Sequence, residues 1–297
     1  MSNRAEPTVV DADLLRDWPM PVHDGGDKFV RGTTVVIGGS PRTPGAVKLA
    51  GEAALRMGAG RLEIVTADAV AGPLGVAVPE ALVVGLPCDP ADGLRWDAAD
   101  HRLEEMVAGA DAVLIGPGLL GDDVDELVTQ ILRTCRDEAL VVLDARALGT
   151  LPGLDPDVVP SGRLLLTPNR QELHHLAGDD RDAPYDGDDP DDCRRAGRVA
   201  ERFAAVVTCF GHVTAADHCW EVAAGTPGLG TSGSGDVLAG LALGAAVRCG
   251  DVAHAGCWAT FVHAHAGERL ARRGGELSFL ARDLVAEVPA VLAALER

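Results

Sequence analysis

Lysine is almost missing from this 297-residue chain: Lys28 and Lys48 are the only two, and arginine supplies the other 24 of 26 basic side chains. Against 45 acidic residues this leaves a formal charge of −19. Such a field repels phosphate backbones and anionic lipid, so neither nucleic acid nor a membrane surface is expected as a partner. The seven cysteines include no C-x-x-C pair, are odd in number and sit mostly in apolar segments. That usage points to reduced thiols in a cytoplasm rather than a disulfide framework. Residues 1–11 lack the basic flank and apolar run of a signal peptide. The longest strongly apolar run, 237–247, is too short to span a bilayer. What is plentiful is apolar content, 47% of residues, which excludes a disordered or collagen-like chain and predicts a full-sized core.

From residue 33 short β-branched runs alternate with longer amphipathic stretches, the pattern of βα units around a mostly parallel sheet. Strands are expected at 34–37, 62–65, 81–84, 112–115, 140–143, 163–166 and 204–208, with helices near 45–58, 99–108, 122–136, 169–177 and 190–202. The runs 213–215 and 219–222 flank Asp217 and His218 and read as a hairpin. Beyond residue 232 only helices are expected, at 234–248, 251–273 and 281–295. No Pro- or Ser-rich linker cuts the chain. The expectation is therefore an N-terminal extension, 1–27, followed by a single three-layer αβα domain, 28–297. The stretch 178–192 carries eight aspartates and one arginine. It lacks the ligand order and closing Glu of a calcium loop and reads as a solvated acidic loop.

The most informative segment is Gly225-Thr-Pro-Gly-Leu-Gly-Thr-Ser-Gly-Ser-Gly-Asp236, which opens directly onto an apolar helix. Glycines at a helix start bring several backbone N–H groups to the positive end of the helix dipole, which makes a phosphate cradle. The spacing matches neither a Walker loop nor a dinucleotide fingerprint. Instead Asp236 sits in the first turn beside the cradle. A carboxylate there repels a phosphate, yet suits a base that takes the proton of a hydroxyl attacking it. A plain capping Asp is the competing structural reading.

Pro44-Gly45-Ala46 opens another helix with small residues, so its amides can also face an anion. Gly116-Pro117-Gly118 comes after a predicted strand at the sheet edge where open α/β folds bind ligands, or forms an ordinary tight turn. Asp144 and Glu172 come after strands too, and their carboxylates should converge there as candidate Mg²⁺ holders, or serve as a helix cap or a surface charge. His263 and His265 are two apart on a predicted helix, face different ways, and read as core or surface histidines rather than metal ligands.

The Gly233-Ser-Gly-Asp236 motif resembles the anion hole and base of ribokinase-like proteins. Six further motifs, in order, resemble the ADP/ATP-dependent NAD(P)H-hydrate dehydratase family. They are Gly38-Gly-Ser-Pro-Arg-Thr-Pro-Gly-Ala46, Ala54-Leu-Arg-Met-Gly-Ala-Gly60, Val78-Pro-Glu-Ala81, Ile115-Gly-Pro-Gly-Leu119, Leu143-Asp-Ala-Arg-Ala-Leu148 and Leu166-Thr-Pro-Asn-Arg-Gln-Glu172.

The resemblance implies a ribokinase-like fold and a repair reaction on the hydrated forms of NADH and NADPH. A phosphoryl group passes from ADP, or from ATP, to the ring hydroxyl, and phosphate then leaves. The chemistry is sound because phosphate is a far better leaving group than hydroxide. Carried over by motif, Asp236 is the base and Gly233, Ser234 and Gly235 form the anion hole. Phe210, Gly211, His212, Val213, Thr214 and Gly235 contact the nucleotide, while Ala46, Gly116, Gly118, Asn169 and Asp236 line the hydrate site.

Paired acids beside phosphates point to Mg²⁺ held by Asp144 and Glu172, directly or through water, and the resemblance implies a homo-oligomer with a tetramer among the forms and a separate NAD(P)H-hydrate epimerase as pathway partner. The chain departs from the pattern at Phe210, where the family commonly has Lys, at Asn169, often His, and at Asp27-Lys28, where the family opens with His-Lys. Two alternatives stay open: an ATP-dependent kinase of a small alcohol or vitamin precursor, which would use the same anion hole and base, and, from the lysine missing at Phe210, a weakly catalytic nucleotide-binding protein.

Overall fold

The computed structural model describes residues 6–21, 30–96, 101–179 and 192–295. Lys28, the boundary expected between residues 27 and 28, and most of the acidic stretch 178–192 lie outside the described residues.

Ten strands form one sheet: β1 (Thr8–Val9), β2 (Thr33–Ile37), β3 (Arg61–Ala67), β4 (Ala81–Leu86), β5 (Ala112–Ile115), β6 (Leu140–Leu143), β7 (Leu164–Leu166), β8 (Val206–Cys209), β9 (His212–Thr214) and β10 (Cys219–Glu221). Their order across the sheet is β1-β10-β9-β8-β7-β6-β5-β2-β3-β4. Every pairing is parallel except those of β9, which runs against both β8 and β10 as the expected hairpin requires.

Alternation along the strands sorts their side chains to two cores, as the period of two demands. Val36, Leu62, Ile64, Leu114, Val142 and Leu165 face one, and Val35, Ile37, Val65, Val113, Ile115 and Leu143 face the other. On the first face lie α2 (Pro44–Arg56), α3 (Asp68–Ala77), α8 (Ser234–Cys249), α9 (Val252–Gly274) and α10 (Ala281–Leu295). The second face is covered by α4 (His101–Ala108), α5 (Val124–Thr134), α6 (Arg170–Ala177), α7 (Asp192–Phe203) and the 3₁₀ segment Ala145–Gly153. The architecture is the expected three-layer αβα sandwich.

Three elements carry too little sequence signal to be expected. Strand β1 has two residues, paired with β10 through Thr8 and Trp220. Helix α1 (Ala12–Asp17) is a turn and a half, capped by Asp11 Oδ1, which accepts from Asp13 N and Leu14 N. Both are pinned from outside: the Trp258 indole donates to Trp18 O at 2.9 Å. Helix α3 contains Pro73 together with Gly72 and Gly75, which erase its helical signature. The strand expected at 204–208 starts two residues later, because Ala204 adopts a left-handed φ of 46° and belongs to the preceding turn.

The close crossing of α2 and α8 depends on Gly240 and Gly244. A Cβ on Gly240 would lie 2.1 Å from the Ala50 carbonyl oxygen, and one on Gly244 would lie 2.5 Å from that of Ala54. Backbone cannot retreat as a side chain can. Gly240→Ala is therefore expected to cost about 2–4 kcal/mol of stability. The check is thermal unfolding against Gly149→Ala, whose added Cβ meets nothing within 4 Å.

Candidate active site

Strands β6, β7 and β8 are parallel neighbours, so the loops leaving their carboxyl ends meet along one sheet edge. Asp144 comes directly after β6, Thr167-Pro-Asn169 after β7, and Phe210-Gly211 after β8. The start of α8 closes the opposite wall. Together they line a cleft of about 750 Å³ that includes Asp144, Asn169, Glu172, Phe210, Gly233 and Asp236.

Helix α8 begins after Gly233, whose φ of 87° only glycine adopts cheaply and which offers no side-chain cap. Ser234 N is taken by Thr231 O, and Val237 N by Gly233 O. The Gly235 and Asp236 amides are the first-turn donors that these bonds leave for an anion. Ser234 is buried, 3% exposed, and its hydroxyl lies 3.0 Å from His263 Nε2. Its hydroxyl therefore faces α9, and an anion at this wall would meet backbone rather than the Ser234 side chain.

Burial pushes the Asp236 carboxyl up to about 6, placing it where a general base is useful. Asp144 is 5% exposed and accepts a 2.7 Å hydrogen bond from Thr167 Oγ1. Burial first, then the nearby Asp236 and Glu172 carboxylates, push it up to about 8 against that hydrogen bond. Glu172 is also raised by burial, opposed by the Asn169 N–H. Asn169 and Glu172 form a capping box at α6: Asn169 N donates to Glu172 Oε2 and Glu172 N to Asn169 Oδ1, both at 2.9 Å. Asp144 and Glu172 thus lie at one edge as expected, and Asp236 lies near Asp144 as well. Asn169 combines a structural duty with its place in the cleft wall.

Among the described residues, no group of three His, Cys, Asp or Glu side chains is placed to hold a metal alone. The donors present are carboxylates, and Asp236 and Glu172 lie close enough to Asp144 to raise its proton affinity. That set fits Mg²⁺, which takes one or two carboxylates and completes its shell with water and phosphate oxygens.

Ala46, Gly116 and Gly118 are absent from the cleft lining and form an adjoining patch. Gly116 has φ 132°, and a Cβ there would fall 1.8 Å from Asp144 O, so the patch abuts Asp144. Gly118 has φ 66°, and its Cβ would meet Thr43 O at 2.7 Å and Ala46 Cβ at 2.8 Å. Thr43 Oγ1 donates to Gly118 O at 2.7 Å, which locks the two loops together.

Of the segment 210–214, only Phe210 and Gly211 line the cleft. Val213 and Thr214 are fully buried, and His212 Nδ1 is a buried ring nitrogen with no hydrogen-bond partner among the described residues. Phe210 is 58% exposed with a left-handed φ of 49°. The Arg170 guanidinium lies 3.7 Å from its ring centroid and pairs through Nε with Asp192 at 2.6 Å. A cation therefore stands beside Phe210, already matched to a carboxylate. Ala145, at φ 48°, is a second left-handed non-glycine in the cleft wall. Such positions cost about 1–3 kcal/mol each and gather at functional sites.

The sequence reading leaves out Thr208 and Thr260 and takes His263 as a core or surface histidine. All three line the cleft, and the two threonine hydroxyls are 2.6 Å apart. The available signal was spacing: Thr260, His263 and Ala264 share one face of α9.

A family model described as NAD(P)H-hydrate dehydratase matches residues 34–290. The chain belongs to the NAD(P)H-hydrate dehydratase family. It is 43% identical to the ADP-dependent (S)-NAD(P)H-hydrate dehydratase of Xanthomonas campestris over 297 residues, 97% of each chain. It is 34% identical over 280 residues to the bifunctional NAD(P)H-hydrate repair enzyme of Escherichia coli, covering 92% of this chain and 50% of that one. The chain thus spans about half the length of that bifunctional relative. The fold is ribokinase-like. A ribokinase-like superfamily protein from Enterococcus faecalis superposes with TM-score 0.81 at 21% identity over 99% of both chains. The Bacillus subtilis ADP/ATP-dependent NAD(P)H-hydrate dehydratase, co-crystallised with ATP and Mg²⁺, superposes with TM-score 0.77 at 24% identity over 97% of this chain and 99% of that one.

Proposed function

We propose that this chain is an ADP-dependent (S)-NAD(P)H-hydrate dehydratase that restores NADH and NADPH from their hydrates. The observation that carries the reading is Asp236, a carboxylate with its affinity for protons raised to about 6, in the same helical turn as the amides that face the cleft. Asp236 takes the proton of the ring hydroxyl as that oxygen attacks the terminal phosphorus of the nucleotide. The Gly235 and Asp236 amides hold the phosphoryl oxygens as charge builds on them. The C–O bond then breaks with phosphate as leaving group, and the neighbouring ring carbon gives up a proton to solvent, so that the ring C=C bond of NADH or NADPH forms.

Gly116, Gly118, Ala46 and Asn169 seat the hydrate, and the 210–214 segment meets the nucleotide through Phe210 and Gly211. Asp144 and Glu172 would hold Mg²⁺, which screens the phosphates' charge when bound. A cytoplasmic setting, self-association and a separate epimerase as pathway partner belong to the same reading. Light scattering on the purified chain tests the second.

The decisive assay tracks recovery of NADH absorbance from hydrated NADH and NADPH, with ADP and ATP in parallel, each with and without Mg²⁺. Recovery that requires nucleotide and is greater with ADP is expected. Accumulation of a stable phosphoester without recovery would replace the reading with a small-alcohol kinase.

A further inference from the structure

We infer that His263 is a positioning residue: from α9 its imidazole N–H straps the first turn of α8 and fixes the Gly235 and Asp236 amides and the Asp236 carboxylate at the cleft wall. Nε2 lies 3.0 Å from Ser234 Oγ and 3.1 Å from Ser234 O. A carbonyl oxygen can only accept, so Nε2 carries the ring proton, and Ser234 Oγ accepts from the same N–H. The tautomer is set by the partner. Burial also pushes the imidazole down to about 4, so the ring stays neutral wherever Asp236 is ionised, and the strap does not change form with the base.

The reason for an outside strap lies in what an ordinary cap would use up. An N-cap Ser, Thr or Asp accepts from the amides two or three residues on. With Gly233 as N-cap, those amides are Gly235 and Asp236, the donors needed for an anion. A glycine cap leaves them available but leaves the first turn loose. Holding the turn by the Ser234 carbonyl, from a neighbouring helix, restores rigidity without occupying either donor. Preorganised donors are worth far more to a developing charge than mobile ones.

The inference rests on α8 as the anion-binding wall, and its test separates the strap from the reaction. Kinetics and backbone hydrogen exchange over residues 231–238 are compared in the full chain for wild type, His263→Leu and His263→Gln. His263→Leu should lower kcat about 10- to 100-fold, with KM for the hydrate moving less than about threefold. Its exchange over 231–238 should quicken about tenfold while the rest of α8 is unchanged. His263→Gln, whose amide nitrogen reaches the same carbonyl, should recover most of both. Unchanged local exchange in His263→Leu, or a Gln variant no better than Leu, would overturn the strap. If wild type fails to act on the hydrate, the activity reading falls, and the exchange comparison still decides the role of His263.

Discussion

Asp236→Asn is expected to lower kcat for hydrate dehydration about 10³-fold, within the range a positioned general base supplies. ADP binding should hold or tighten, because the substitution removes a negative charge beside the phosphates. Those two directions together distinguish a base from a binding residue, whose loss would raise KM first. The same carboxyl sets the wild-type pH profile. Raised by burial to about 6, Asp236 is mostly ionised at neutral pH, and kcat/KM should fall about tenfold per unit below about pH 6. The residual rate of the variant should lack that acid limb. Calorimetry with ADP and steady-state rates across pH provide the check. A variant that keeps more than about a tenth of the wild-type rate would remove Asp236 from the chemistry.

What could be read from sequence and what could not divides on physical grounds. The strands β5 and β6 are buried on both faces, so their apolar runs are unbroken and their limits are met, while β2 begins one residue early, at Thr33. The Gly233-to-Asp236 turn is equally legible, since a phosphate cradle must be written in glycine. Strand β1, by contrast, exists only because β10 offers an edge, and two residues carry no period. Phe210 and Ala145 take left-handed backbones that no propensity predicts, because the surrounding ends of β6 and β8 impose them. His263 is a packed histidine, as its sequence reading allows, but its partner, Ser234, lies 29 residues away, beyond any local pattern. The inward turn of Ser234 is a fact of packing between α8 and α9, so a motif that groups Ser234 with the anion hole cannot tell hydroxyl from backbone.

Asp144 is where function and stability should pull apart. Its folded value is raised to about 8 from an ordinary 3.8, so between those values the folded chain binds a proton that the unfolded chain has released. The sign is then fixed: this group costs stability progressively as pH rises from the carboxylate range to about 8, and the loss levels off above it. Asp144→Asn keeps an acceptor for the Thr167 hydroxyl and has nothing to ionise. Without metal or nucleotide, the variant should melt higher than wild type, by a margin that widens between about pH 5 and about pH 9. On the order of 2 kcal/mol is expected at the alkaline end. Adding Mg²⁺ and ADP should reverse the order, since a cation beside a buried carboxylate rewards its ionised form and wild type alone can supply it. The variant should also lose activity by about 100-fold or more, the loss expected when a group that organises phosphate charge is removed. Melting curves of both proteins at several pH values, each with EDTA and with Mg²⁺ and ADP, measure the whole prediction. A constant margin across pH would show that the Asp144 proton is not the source of the cost. A wild type that gains nothing from Mg²⁺ and ADP over the variant would remove Asp144 from the metal site.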